Sequence, residues 1–363
     1  MDLGVDDGAA PRTSGYDPFV RGRFPVGVRT IQALDTARDR LFPCEVWYPA
    51  TARHAGQDLA AATRDSFTLP SRDAPRVQDA VRDAAAQPGT HPLVIFSHHS
   101  GGDRRTSTFL ATHLSSHGYV VAALDHSELV AAELRRKDGE SDEQRTARIA
   151  GWIANRVPDV RFLLDHLLGG APRDLQATPD PGRIGIVGHS FGGWTALAAP
   201  AADRRIRAVV ALAPGGSSKR RRGIIPATLT FGWGRDVPAL YLVGDHDVSL
   251  PLDGMYELCG RTPPPRQMVI LRGADHLHFV DDVEHEHEAM RAIPASGELA
   301  WIRQMRPITE LCSGDQAHLF VRGLTLGHLD AALRRDGQAQ RFMRGDIEAE
   351  LAERGVDATS HRP

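Results

Sequence analysis

Between residues 184 and 198 the chain passes from a short continuous apolar run into a helix-forming one. The first is Ile184-Gly185-Ile186-Val187, the second ends Ala196-Leu197-Ala198, and Gly188-His189-Ser190-Phe191-Gly192-Gly193 joins them. This passage restricts the fold more than any other feature of the chain. A run apolar at every position has the character of a buried parallel strand. A strand that enters a helix through Gly-x-Ser-x-Gly turns too tightly for a Cβ at the glycine positions. Ser190, at the apex, is expected in a strained conformation, with its hydroxyl above the sheet and a helix N-terminus favouring negative charge beside it. The competing reading is a Gly-rich turn with an inert serine, and the strand-to-helix context favours a nucleophile.

Other segments supply the matching elements. Cys44-Glu45-Val46-Trp47-Tyr48-Pro49 reads as an early strand stopped by proline, and Leu93-Val94-Ile95-Phe96 as a buried one. Tyr119 to Leu124, Arg207 to Leu212, Ala239 to Val243 and Gln267 to Leu271 read as further strands. Helical spacing marks Thr106 to His117, stopped by Gly118, then Asp142 to Leu168 and the run after Gly193, with a closing helix or pair from Ile308 to Arg335. Strands alternating with helices predict an α/β domain with a mostly parallel sheet covered on both faces. The organisation expected is a loose arm over 1–20, one domain over 21–340, and a C-terminal helix and tail over 341–363. Insertions are expected near 53–90, 127–150 and 281–307, the first as a long connection with helical pieces.

A serine hydroxyl is a poor nucleophile at neutral pH and needs a histidine base and an orienting carboxylate. In this kind of fold they follow in the order Ser, acid, His, each beyond the end of a strand. Val243-Gly244-Asp245-His246-Asp247 offers Asp247, far enough past its strand to turn back across the sheet, with Asp245 as the competitor. Leu271-Arg272-Gly273-Ala274-Asp275-His276 offers His276 as base, with His278 as the alternative. Acyl transfer also needs N–H donors for an oxyanion. The first is that of Phe191, after the nucleophile, and the second is sought in Phe96-Ser97-His98-His99-Ser100-Gly101-Gly102, at Ser100.

Composition excludes other classes. Forty-three Lys and Arg against 46 Asp and Glu leave a net charge of −3, and only 6% of residues are aromatic, so neither a nucleic-acid backbone nor stacked bases are expected partners. No apolar run reaches the roughly 18 residues of a membrane span. Cys44, Cys259 and Cys312 are far apart and form no C-x-x-C pair, which points to reduced thiols and a cytoplasmic protein. Asp275 to Glu288 packs four histidines and six carboxylates into fourteen residues. A metal site there would use Asp281 and His285 on one helical face, but a solvated acidic segment is the better reading, and no metal or organic cofactor is expected. Lys219-Arg220-Arg221-Arg222 reads as wet surface, and Asp125-His126 borders the site without implied chemistry. Trp194, Phe231 and Trp233 are candidates for an acyl pocket or for ordinary core.

On these residues the chain resembles the α/β-hydrolases of the platelet-activating-factor acetylhydrolase-like group, adjoining dienelactone-hydrolase-like and cutinase-like esterases. The matching pieces run from about 42 to 282: Val46-Trp47-Tyr48-Pro49, Phe96-Ser97-His98 with Ser100-Gly101, Leu114 to Ala123, Gly188 to Gly193, and His276-Leu277-His278-Phe279-Val280-Asp281. The resemblance implies an α/β-hydrolase fold, triad roles for Ser190, Asp247 and His276, and oxyanion roles for Phe191 and Ser100. Three departures stand out. His99 occupies a position where relatives usually carry Gly, no secretion signal opens the chain, and no cysteine takes the elbow position of dienelactone hydrolases proper.

The function expected is hydrolysis of a small carboxylic ester through an acyl-enzyme, with short acyl chains favoured because His99 adds bulk beside the oxyanion loop; His99, Trp194 and Trp233 are the candidate pocket residues. A thioesterase, amidase or acyltransferase using the same triad, or a non-catalytic binding protein on this fold, are the alternatives.

Overall fold

Leu93, Val94, Ile95 and Phe96 are all buried, and they alternate in the face they serve. Leu93 and Ile95 join one hydrophobic cluster, Val94 and Phe96 another. In the neighbouring strand Val120, Ala122 and Leu124 likewise face the first cluster and Val121 and Ala123 the second. Apolar side chains at every position are what a strand covered on both faces requires.

The computed structural model describes residues 15–69, 74–128, 134–170 and 175–362. In chain order the strands are β1 (Val26–Asp35), β2 (Arg40–Pro49), β3 (Asp65–Phe67), β4 (Arg76–Gln78), β5 (Val81–Arg82) and β6 (Gly89–Ser97). They continue with β7 (Val120–Leu124), β8 (Ala177–His189), β9 (Ile206–Leu212), β10 (Ala239–Gly244), β11 (Arg266–Leu271) and β12 (Ala358–His361). Ten of these form one sheet in the order β12-β11-β10-β9-β8-β6-β7-β2-β1-β5, and β3 pairs with β4 apart from it. From β7 to β11 all neighbours run parallel, while β2 is antiparallel to both β1 and β7. This is the mostly parallel sheet of an α/β-hydrolase fold.

Helices cover both faces. Helix α1 (Thr108–Ser116) carries Leu110 and Leu114 into the second cluster. Helix α2 (Asp142–Leu168) and helix α3 (Phe191–Ala202) serve the first cluster through Leu163, Leu164, Leu167 and Leu197. Helix α2 starts where the sequence predicts, because Ser141 and Gln144 form a capping box there. Helix α4 (Leu252–Arg261) follows β10, helix α5 (Val283–Arg291) follows β11, and helix α6 (Gly314–Leu329) buries Phe320 and Leu324 in the second cluster.

Three expectations need correction. Over residues 53–90 the expected helical pieces reduce to the 3-10 turn Ala52–His54, and short strands follow it. A polar network ties them to the sheet: Trp47 donates to Gln78 at 2.6 Å, Gln78 to Asp65 at 2.6 Å, and Arg82 to Glu45 at 2.7 Å. The last residues are no tail, since β12 pairs antiparallel with β11 at the sheet edge. The arm expected over 1–20 is packed where it is described: Phe19 is buried, and the Tyr16 hydroxyl donates to Asp330 at 3.0 Å. Residues 1–14 lie outside the described residues.

Candidate active site

The loops that follow β6, β8, β10 and β11 meet above the sheet, at the ends where parallel strands of an open sheet leave room for a ligand. Between β8 and α3, Ser190 has φ 58° and ψ −115°, a backbone conformation that side chains rarely adopt. Close packing holds it there. A Cβ on Gly188 would lie 2.0 Å from the Gly192 carbonyl oxygen, and one on Gly192 would lie 1.9 Å from that of Ser97. The turn therefore excludes any side chain at either position. The Ser190 amide donates to Leu212 O at 2.9 Å, and its carbonyl accepts from Gly215 at 2.8 Å, which fixes both sides of the residue.

The Ser190 hydroxyl lies 2.8 Å from His276 Nε2, and His276 Nδ1 lies 2.6 Å from Asp247 Oδ2. With the proton on Nδ1, His276 donates to the carboxylate and accepts from the serine. The other oxygen of Asp247 accepts from the Ser249 amide at 2.9 Å, the Ser249 hydroxyl at 2.7 Å and the Leu250 amide at 2.9 Å. Burial by itself would raise the Asp247 carboxyl, but the bonded imidazole and these donors outweigh it and hold it below the usual range. Burial likewise pulls His276 down, and the Asp247 carboxylate more than reverses that, so its pKa is raised.

The competitors are engaged elsewhere. Asp245 accepts from the Gly273 amide at 2.8 Å and pairs with Arg272 at 3.5 Å. His278 accepts the Asp275 amide on Nδ1 at 2.9 Å and donates to Cys312 O from Nε2 at 3.1 Å, which ties down the loop after β11. His189, the variable residue before the serine, is fully buried and donates to the His276 carbonyl at 2.9 Å. Asp275 accepts from the His276 amide. Burial and the nearby Asp247 push its carboxyl up to about 7.

Neither the Phe191 nor the Ser100 amide donates to another protein group among the described residues. Behind Ser100 stands a network that the sequence reading missed. Arg156 is fully buried and donates to Ser97 Oγ at 3.1 Å and to His98 O at 2.6 Å, and it pairs closely with buried Glu128. Ser97 Oγ lies 3.0 Å from His126 Nε2, and His126 Nδ1 lies 2.9 Å from Asp159 Oδ2. The signal was present in α2, where Arg156 and Asp159 share the buried stripe of Trp152, Val160 and Leu163. Charges on an apolar helix face need partners from elsewhere in the fold.

The remaining candidates take varied places. The His99 ring sits 5.2 Å from that of His189, which sits 4.8 Å from that of His276, so His99 borders the site. Trp194, in the first turn of α3, packs at 5.4 Å on Phe191 and donates to Thr228 O at 2.7 Å. Trp233 donates to Leu197 O at 3.0 Å within the core. The face shared by Asp281 and His285 does not form. Helix α5 begins only at Val283, and Asp281 instead accepts the Thr108 and Phe109 amides at 2.9 and 3.0 Å at the start of α1.

A family model for chlorophyllase matches residues 72–240. The platelet-activating factor acetylhydrolase of Cavia porcellus is 24% identical over 53% of this chain and 48% of its own length. A probable 1-alkyl-2-acetylglycerophosphocholine esterase of Arthroderma benhamiae is 31% identical over 32% of this chain and 30% of its own. The chain thus spans about half the length, or less, of these curated relatives. Among solved structures, a ferulic acid esterase from Streptomyces cinnamoneus superposes with a TM-score of 0.57 at 23% identity, covering 90% of this chain and 93% of that one. No helix among the described residues is long and apolar enough to cross a membrane. Sheet order, elbow and superposition give this chain an α/β-hydrolase fold, and in part of its sequence it is similar to platelet-activating factor acetylhydrolases and esterases.

Proposed function

We propose that the protein hydrolyses small carboxylic esters through an acyl-enzyme on Ser190. One observation carries the reading: a strained serine is hydrogen-bonded to a histidine, which is hydrogen-bonded to a buried carboxylate, in the order Ser190, His276, Asp247. Ser190 Oγ attacks the ester carbonyl carbon while its proton passes to His276 Nε2. Asp247 keeps the Nδ1 proton in place and stabilises the imidazolium. The tetrahedral oxyanion is received by the Phe191 and Ser100 amides. The carbon–oxygen bond to the alcohol then breaks, and His276 gives its proton to the departing oxygen. Water enters, loses a proton to His276 and attacks the acyl carbon; the bond from that carbon to Ser190 Oγ then breaks, His276 returns the proton to Oγ, and the acid leaves.

No step needs a metal or an organic cofactor. His99 and Trp194 form the walls of a pocket for a short acyl group, a reading supported by the place of His99 beside His189. The cytoplasm is the proposed compartment, in keeping with three free cysteines of which two are buried. The relatives' names point to acetylated glycerophospholipid esters as one group to test. The test is a panel of nitrophenyl and phospholipid esters with a thioester and an anilide included, run on the wild type and on Ser190→Ala. Ester turnover that depends on Ser190 supports the reading. A preference for the thioester or anilide by more than about tenfold, a difference of ~1.4 kcal/mol in barrier, overturns it.

A further inference from the structure

Two carbonyls of the oxyanion loop, those of His98 and His99, are held from inside the protein. His98 O accepts from Arg156 Nη1 at 2.6 Å, and His99 O accepts from His98 Nδ1 at 2.6 Å, from the Gly102 amide at 3.2 Å and from Arg156 Nη2 at 3.4 Å. In a trans peptide the carbonyl of one residue and the N–H of the next point in opposite directions. Anchoring the His99 carbonyl on Arg156 and His98 therefore turns the Ser100 N–H away from them. The same guanidinium lies 4.4 Å from the centre of the Phe191 ring, the residue that supplies the other donor. Glu128, the partner of Arg156, closes the loop from its far end, its own carbonyl accepting the Gly101 amide at 3.1 Å.

We propose that Arg156 is a positioning residue for the oxyanion donors. It sets the direction of the Ser100 N–H through the His98 and His99 carbonyls and seats Phe191 beneath it. Glu128 balances its charge, so the guanidinium acts as a fixed clamp inside the fold. Ser97, His126 and Asp159 belong to the same device. Ser97 accepts from Arg156 and donates to His126, which donates to Asp159, and Asp159 is paired with Arg38 and Arg40 at 2.7 and 2.6 Å. Ser97 and Asp159 are fully buried and His126 nearly so, and burial keeps His126 neutral by lowering its pKa well below the ordinary value. This second Ser–His–Asp series is a support. An oxyanion is stabilised only by donors already in place when charge develops, and a displacement of about 1 Å costs on the order of 10²-fold in rate.

The inference rests on the ester-hydrolase reading, and the test separates the two. Steady-state kinetics on nitrophenyl acetate are measured for the wild type, Arg156→Lys and the double variant Arg156→Met/Glu128→Met. Alongside them runs the inhibition constant of an aryl boronic acid, which Ser190 Oγ converts to a tetrahedral anion. Lysine keeps a charge opposite Glu128 but has no planar fork to span both carbonyls. The double variant removes both buried charges together, which folds tolerate far better than removal of one. Both variants are expected to keep KM within about threefold, while kcat falls ~10- to 100-fold and the boronate constant rises by the same factor. A folded variant with kcat and boronate constant within about twofold of wild type overturns the assignment. So does a fall in kcat with an unmoved boronate constant, since that marks general loosening. If the double variant does not fold, Arg156→Lys decides by the same comparison. A wild type whose turnover survives Ser190→Ala overturns the ester-hydrolase reading itself.

Discussion

Asp245 and Asp247 lie on one loop beyond β10, yet their carboxylates face different partners. Asp247 accepts the Nδ1 proton of His276 at 2.6 Å, whereas Asp245 accepts the Gly273 amide at 2.8 Å and braces the loop on which His276 stands. One holds the imidazole and the other holds the backbone beneath it.

Asp247→Asn should therefore lower kcat by ~10⁴, because the amide favours the wrong imidazole tautomer while keeping the size of the side chain. Asp245→Asn keeps an acceptor for Gly273 and loses partly exposed contacts with Arg272 at 3.5 Å and His246 at 4.0 Å, of the kind worth roughly 0–1 kcal/mol. Its kcat should stay within about tenfold of wild type. Kinetics on a nitrophenyl ester compare the two, and the reverse ranking would move the orienting carboxylate to Asp245.

Among the described residues two serines, Ser190 and Ser97, bond a histidine that bonds an aspartate, and one of the two should react. A fluorophosphonate probe is expected to label Ser190, lying at the elbow, and to leave Ser97 untouched, since Ser97 is fully enclosed. Labelling should vanish in Ser190→Ala and persist in Ser97→Ala. In a serine protease the loss of the nucleophile costs on the order of 10⁶ in kcat. Mass spectrometry of the labelled peptide locates the adduct, and an adduct on Ser97 would exchange the roles of the two serines.

The pH profile follows from His276. The base must be neutral to accept the serine proton, and its pKa is raised above the ordinary imidazole value by Asp247. Activity should fall as pH drops through that raised value, so the acid limb of kcat/KM is expected to have its midpoint above 6.5. A midpoint clearly below 6.5 would mean that burial, and not Asp247, dominates the base.

Asp275 gives a stability prediction with a definite sign. Its carboxyl is raised from 3.8 to about 7 by burial and by Asp247. The unfolded state therefore releases this proton first, and the group reduces stability progressively as pH rises from 3.8 to about 7, with its full cost above that. Asp275→Asn keeps an acceptor for the His276 amide and removes the charge. Thermal unfolding should show a larger gain in Tm for this variant at pH 8 than at pH 5, and an equal or smaller gain at pH 8 would contradict the raised carboxyl.

Chain-length preference tests His99. On the proposed reading the His99 imidazole, whose ring lies 5.2 Å from that of His189, walls the acyl pocket, and one methylene in such a pocket is worth roughly 1–3 kcal/mol. Turnover of nitrophenyl esters should be best with acetate to butyrate, and His99→Gly should move the optimum to longer chains. A wild-type optimum on octanoate or longer would place the acyl group away from His99.

Much of the fold was legible because its signals are local. The fully apolar run at Leu93–Phe96 needs no partner to announce a strand buried on both sides, and the helical spacing of Asp142–Leu168 marks α2 from within the segment. Residues 53–90 misled for the opposite reason. Their conformation depends on Asp65, Gln78 and Arg82 reaching Trp47 and Glu45 in another part of the chain, and no spacing within the segment reports that. The C-terminal strand was missed likewise, since Ala358–His361 has little apolar pattern and is a strand only because β11 offers it an edge.

By itself the sequence determined the elbow and the order of its partners. Gly188 and Gly192 are required by backbone contacts within a single turn and with the strand beside it, and Ser190 follows from them. What only the tertiary structure decided is which side chains of each loop meet. His276 is 86 residues from Ser190 and 29 from Asp247, so the choice of Asp247 over Asp245, and of His276 over His278, depends on how loops from separate strands stand against one another. The buried Arg156 network belongs to the same class. A hydrogen bond is set by distance and direction within a few tenths of an ångström, and that geometry exists only once the sheet has brought β6, β7 and α2 together.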